Sequence, residues 1–497
     1  MALAALIAGL FAFVAVLRGL KVQRHALDAI GVAQEAVGVI ADPDLTDEVK
    51  ERHVQRAALS LLRSFVILLG IGAAACVSAA AFVIGGDLFG LFSIERAMGI
   101  ATSWPFILWS SVGAVGLWLV LARVGGRGQS AEAASAADEV PYSALDKALH
   151  NFAFASPERQ LALSSIEDKV WRRTIDAVQA ERPVFVTSLP RAGTTILLEL
   201  LAGQGEFASA TYRNMPFTMA PLLWGQFSRV FRKSGAKAER AHGDGIAVDF
   251  DSPEAFEEMI WMAFWPGHYG KARIGLWTAA DRKPDFETFL ARHMRKIVAG
   301  KSGAFRYVSK DNANIARLPL LAAAFPDAQV VIPIRNPAAQ VASLMRQHRR
   351  FCELHARDRF ARQYMEGIGH FEFGTALRPI AFPGAPEDAG GAEHADYWLR
   401  YWIAAYDHVL RTAPRGAVFV DHDALSARPT DHLPLFAEVL GVGDRTAFLA
   451  ASEIFRVPKP APEVPGASPL LLRRATALHR ALLARALRAT AREKKVV

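Results

Sequence analysis

The run Pro183-Val-Phe-Val-Thr-Ser-Leu-Pro-Arg-Ala-Gly-Thr-Thr195 holds the residues best suited to chemistry. It is an apolar stretch, then a tight turn containing Gly193, then the apolar residues Ile196 to Leu201. That order reads as a buried strand, a loop and the first turns of a helix. Backbone N–H groups in such a turn, together with the helix N-terminus, make a cradle for an anion. A nucleoside triphosphatase would carry Gly-Lys-Ser/Thr at this point. This chain has Gly193-Thr194-Thr195, and its basic residue, Arg191, lies on the other side of the glycine. The loop therefore suits a phosphate-like group without the lysine and metal arrangement of ATP hydrolysis.

Three later segments complete the constellation. Tyr307-Val-Ser-Lys-Asp-Asn-Ala-Asn314 places Lys310 just after a strand. Ala328 to Ser343 is a strand with Arg335 at its end and Ser343 eight residues further on. Pro337 suits the first turn of the helix that follows, so Ser343 projects two turns into that helix, back toward the sheet edge. Ala417 to Pro429 is a late strand with acidic residues at its end, followed by a helix that stops near Leu440-Gly-Val.

Together these segments resemble the sulfotransferases that use 3′-phosphoadenylyl sulfate (PAPS). The family's 5′-phosphosulfate loop, Pro-Arg/Lys-Ser-Gly-Thr-Thr, is similar to Pro190-Arg-Ala-Gly-Thr-Thr195. Its 3′-phosphate motif, an arginine at a strand end and a serine eight residues later, is similar to Arg335 and Ser343. The Lys-Asp/Thr-Pro segment of the protein-tyrosine branch is similar to Lys310-Asp311. The resemblance spans roughly residues 180 to 445. It implies a donor held by Arg191, Ala192, Gly193, Thr194, Thr195, Arg335 and Ser343, with Lys310 and Arg191 stabilising charge and no metal required. It also implies a hydroxyl-bearing acceptor. As in phosphoryl transfer, positioning and electrostatics would supply most of the rate.

The proton acceptor does not carry over. In the protein-tyrosine branch it is a glutamate about 21 residues after the loop arginine, and that position here is Tyr212. His242 is favoured over Glu257, because it sits among polar and glycine residues as a site loop would. Ser252-Pro-Glu-Ala reads as a helix start, which assigns Glu254 to that helix's N-terminus. The large aromatics between residues 212 and 280 read mostly as helix core, with room for an aromatic wall beside a sugar or lipid headgroup.

These residues need a scaffold. Short apolar strands at Val184–Ser188, Phe305–Ser309, Gln329–Ile334 and Ala417–Asp421 alternate with helices. The alternation predicts an α/β, P-loop-like three-layer domain around a central parallel sheet over residues 145–460. Before it, residues 1–124 carry three apolar runs, at about 1–17, 64–86 and 102–122, the last two long enough to span a bilayer. The first has a signal peptide as its alternative. Residues 125–144 are small and polar, as in a linker, and residues 461–497 read as a basic amphipathic helix, either laid on an anionic leaflet or packed on the domain. The excess of Lys and Arg at 18–63 and after Arg123 predicts a multi-pass protein of the cell inner membrane with its catalytic domain in the cytoplasm.

A net charge of +8, a pI near 9.5 and a mean hydropathy of +0.17 agree with membrane segments that have basic flanks, or with an anion site. Scattered basic residues with no zinc or helix-turn-helix signature argue against nucleic acid as a partner. The two cysteines, Cys76 and Cys352, lie in unlike surroundings and do not read as a disulfide, and no metal-ligand spacing appears. The competing functions are a P-loop kinase-like phosphotransferase and a membrane scaffold that retains a degenerate nucleotide-binding fold. Acceptor identity and oligomeric state are not legible.

Overall fold

The computed structural model describes residues 1–22, 24–25, 28–29, 32, 47–103, 106, 110, 113, 144–231, 238–239, 247–248, 250–254, 256–458 and 460–487. The chain forms two compact units, Met1–Ala136 and Ala137–Val497.

In the first unit the first apolar run is the helix Ala2–Gly19. The charged residues from Asp47 to Arg63 and the second apolar run are one continuous helix, Asp47–Leu88. No Gly or Pro interrupts the join around Arg63, so nothing breaks the hydrogen-bond ladder there. A Cβ at Gly9 would lie 2.9 Å from the Ala79 carbonyl oxygen, so glycine allows the two helices to touch. Away from that contact the long helix shows Leu59, Leu62, Phe65, Val66 and Leu69 to the outside. Ala2–Gly19 and Gln55–Leu88 are each long and apolar enough to cross a membrane. Most of the third run and the 125–144 segment, apart from Ala144, lie outside the described residues.

The second unit is built on a five-stranded parallel sheet. Its strands are β1 (Val184–Val186), β2 (Phe207–Ala208), β5 (Arg306–Lys310), β6 (Gln329–Ile334) and β7 (Val418–Asp421), in the order β2-β5-β1-β6-β7. A separate two-stranded pair, β3 (Ala238–Glu239) and β4 (Ala247–Val248), is antiparallel. Strand side chains alternate between the faces. Phe185, Tyr307, Ile332 and Phe419 enter one core with the helices Pro284–Ala299, Pro337–Arg357 and Ala395–Thr412. Val184, Val186, Val308, Val331, Val418 and Val420 enter another with Thr194–Ala202 and Pro429–Leu440. Helices thus cover both faces, which explains why a central strand such as Val184–Val186 is apolar on both sides rather than alternating.

Four of the five sheet strands fall where the apolar runs predict them; β2, only two residues long, is too short to leave a pattern. The basic C-terminal segment forms the helix Pro469–Leu483, and its Ala475 and Leu482 are buried in the core shared with Ala395–Thr412. Its apolar stripe is used within the unit.

Strand order positions the site. β1 pairs with β5 on one side and β6 on the other, and the chain fills the β5 side before crossing to β6 and β7. The carboxyl end of β1 is therefore a topological switch point, where flanking loops diverge and leave a crevice.

Candidate functional site

The loop after β1 occupies that crevice. Arg191 has φ +68° and Gly193 φ +100°, and the helix Thr194–Ala202 begins directly after Gly193. The left-handed turn at Gly193 suits glycine. A Cβ there would stand 2.8 Å from the His422 ring, which adds a second, steric reason. Burial, reinforced by the Arg335 charge, pushes His422 down to about 4, so the ring is neutral near pH 7.

Buried Gln340 holds the loop from below. Its Nε2 donates to the carbonyls of Leu189 (3.2 Å) and Pro190 (3.0 Å), while its Oε1 accepts from Trp402 Nε1 (2.8 Å) and Tyr406 OH (3.3 Å). Ser188 Oγ donates to Pro333 O at 2.8 Å. These bonds fix the loop backbone without a ligand. Gln340 carries no sequence signal; only the fold brings it under the loop.

Two other segments meet at the loop. Arg335, just past β6, donates from Nη1 to the Arg191 carbonyl at 2.9 Å. Arg191 Nε donates to Ser343 Oγ at 3.1 Å. Pro337 starts the helix Pro337–Arg357, and Ser343 is buried on its inner side, as the spacing predicts. Asp423 lies 3.9 Å from Arg335 Nε, beyond hydrogen-bond reach, so that buried donor has no acceptor among the described residues. Burial lowers the Arg335 pKa; Asp423 opposes the shift, while Arg191 and Arg346 add to it. The corner is a cluster of crowded cations, which a bound anion would relieve.

On the other side of β1, Lys310 closes β5 in register with Val186. Asn312 Oδ1 accepts from Thr194 Oγ1 at 3.1 Å, and Asn312 Nδ2 donates to Glu372 Oε1 at 3.0 Å. Next to the loop a cleft encloses about 490 Å³, open solvent included. Leu189, Pro190, Phe371 and Trp398 form apolar wall, and Asp311 and Glu372 bring carboxylates to it. Burial raises the Glu372 carboxyl, but His370, Asn312 and Lys310 outweigh it and hold the group at about 2. His370 Nδ1 lies 3.0 Å from Glu372 Oε2.

His242 lies outside the described residues. Glu257 is buried, with its carboxyl oxygens bonded to Trp261 Nε1 (3.3 Å) and Tyr307 OH (3.0 Å), and burial raises its pKa. That environment belongs to the core. The helix expected to start at Ser252-Pro-Glu begins instead at Glu258. Residues 250–254 are drawn into an extended pairing with residues 210–213, which overrides their local capping tendency. Glu254 then reaches Lys310 Nζ at 3.6 Å and accepts from Tyr212 OH at 2.6 Å. Among the aromatics, Trp261, Trp265 and Trp277 are buried in the core, as the blander reading of that stretch expects.

His348, Cys352 and Glu393 offer ligand atoms within 4.8 Å of one another, a group that the one-turn His–Cys spacing only hints at. His348 Nδ1 accepts from the Gly374 N–H at 3.2 Å, which leaves the proton of a neutral ring on Nε2, the nitrogen facing Cys352 and Glu393. That tautomer opposes metal binding.

Residues 183–374 match a family model described as the Sulfotransferase family. By that match this segment is a sulfotransferase-family region, and it contains the loop, Lys310, Arg335 and Ser343. The chain is similar to the crystal structure of sulfotransferase STF9 from Mycobacterium avium, at 14% identity and TM-score 0.39, with 73% of this chain and 88% of that one covered. It is similar to sulfotransferase STF1 from Mycobacterium tuberculosis H37Rv at 16% identity and TM-score 0.38, covering 68% and 88%. A sulfotransferase from Alicyclobacillus acidocaldarius follows at 13% identity and TM-score 0.31, covering 62% and 97%. No curated protein matches the chain.

Proposed function

We propose that the second unit moves a sulfuryl group from PAPS to a hydroxyl acceptor, with a lipid, glycolipid or carbohydrate favoured, at the cytoplasmic face of the inner membrane. The observation that carries this reading is the Arg335–Arg191–Ser343 linkage around the left-handed loop at the switch point. It supports two adjoining anion sites, as a donor with a 5′-phosphosulfate and a 3′-phosphate requires. The orphaned Nε of Arg335 fits a phosphate oxygen there.

In this reading Gly193, Thr194 and Thr195 present N–H and hydroxyl donors to the 5′ group, with Ala192 contributing its backbone. Arg191 neutralises charge at the loop, and Arg335 with Ser343 grips the 3′-phosphate. Lys310 stabilises the charge that develops on the leaving phosphate. The apolar helices of the first unit support membrane attachment, which would hold the domain beside amphipathic acceptors.

Binding of adenosine 3′,5′-bisphosphate to the purified chain tests the donor assignment. Measurable affinity, without competition from Mg-ATP, is expected. Preference for Mg-ATP would favour a kinase instead. Tag accessibility in spheroplasts tests orientation, and a C-terminus reached from outside would sink the cytoplasmic placement.

A further inference from the structure

The geometry points to Glu254 as the proton acceptor for the acceptor hydroxyl, held by Tyr212 and paired with Lys310 until donor enters. This inference rests on the sulfotransferase reading above. The residue comes from a segment far from the loop in sequence, and three features fix it in place. Glu254 N donates to Ala210 O (3.0 Å), Tyr212 N to Ser252 O (3.2 Å) and Arg213 N to Phe250 O (2.8 Å), forming a short ladder. Arg213 grips Asp251 with two bonds, of 2.6 and 2.8 Å. The Tyr212 hydroxyl donates to one carboxylate oxygen of Glu254 while the other faces Lys310 Nζ.

The other carboxylates near Lys310 suit this role less well. Glu257 has both oxygens engaged in the core. Glu372 is bonded to Asn312 and held at about 2, which makes it a weak base. Asp311 caps the turn that follows it by accepting from Ala313 N through Oδ1, and its carboxyl lies against the buried Glu258 carboxyl. Glu254 is partly buried and stands beside the cation assigned to the leaving group.

The transfer step balances as follows. The acceptor oxygen bonds to the donor sulfur as its proton passes to the Glu254 carboxylate. The bond from sulfur to the bridging oxygen breaks, and its electron pair stays on the 5′-phosphate, next to Lys310. When donor binds, its negative charge competes with Glu254 for Lys310 and leaves the carboxylate available to the acceptor hydroxyl.

Glu254→Gln in the full-length chain in detergent micelles tests this. Adenosine 3′,5′-bisphosphate should bind about fivefold tighter, because Lys310 loses a competing carboxylate. Transfer from ³⁵S-labelled PAPS to membranes of the parent cells should fall by about 10²-fold or more. Bisphosphate affinity that is unchanged or weaker overturns the assignment, as does transfer within about threefold of wild type. Should that variant not fold, Tyr212→Phe removes only a hydroxyl: transfer should fall several-fold with bisphosphate affinity unchanged, and undiminished transfer overturns the inference. If the wild-type chain binds no bisphosphate, the sulfotransferase reading itself has failed, an outcome separate from a wild type that binds and a variant that does not differ.

Discussion

The two sides of β1 carry opposite charge. Toward β6 and β7 stand Arg191 and Arg335, and burial with neighbouring cations lowers the Arg335 pKa. Toward β5, Lys310 is surrounded by acids, with Glu254 at 3.6 Å and Glu372 close enough for the lysine charge to help lower its pKa. In the proposed function, the first wall would receive a polyanion and the second would manage a proton and a leaving group. A site that only bound nucleotide would need the first wall alone. The pairing of both at one switch point is what favours transfer over a binding scaffold.

Damage to each wall should give a different phenotype. The largest effect is expected from Lys310→Ala: the transfer rate should fall about 10²–10³-fold, or about 3–4 kcal/mol of transition-state stabilisation. Single-turnover kinetics with saturating donor measures it, and an unchanged rate removes Lys310 from the acidic wall's chemistry. Arg335→Ala on the cationic wall should weaken adenosine 3′,5′-bisphosphate binding by about 10–100-fold, the range for a lost hydrogen bond to a charged group of about 1.5–3 kcal/mol. Titration calorimetry reads it, and a change confined to turnover would erase the contrast between the walls.

Gly193→Ala sits between them. The substituent meets a φ of +100° and the His422 ring at 2.8 Å, so about 1–3 kcal/mol of strain is expected. A lowered thermal midpoint together with lost bisphosphate binding would show that both walls depend on one loop geometry.

The smallest expected effect is on acid stability. Burial lowers His293 to about 3 and His150 to about 4. A histidine with a depressed folded pKa stabilises the fold above its unfolded value, near 6.5, and loses that contribution as pH falls toward the folded value. Thermal stability should therefore drop between pH 6.5 and about 3. His293→Gln should flatten that slope, and a slope identical to wild type would exclude His293 as a cause.

The loop and the strand–helix alternation are legible in the sequence because they depend on local rules. A left-handed turn requires Gly193, and a doubly covered parallel strand requires an unbroken apolar run such as Val184 to Val186. The Arg335-to-Ser343 spacing is equally local, since both lie on one strand–helix unit. Core aromatics such as Trp261 are legible as apolar mass, without a place. Glu254 is misread because Ser252-Pro-Glu has the local form of a helix start, and only pairing with residues 210–213 cancels it.

The amino-acid order alone settles that there is a glycine-containing strand–loop–helix turn, a parallel α/β frame around it and long apolar helices before it. These are properties of near neighbours along the chain: backbone conformation, periodicity and hydrophobic length. Tertiary structure alone settles which distant groups meet at the loop. Gln340 beneath its carbonyls, Glu254 beside Lys310 and His422 against Gly193 are brought together by strand order and helix packing. No spacing within the chain encodes those encounters, because each depends on where the sheet places segments more than 50 and up to more than 200 residues apart.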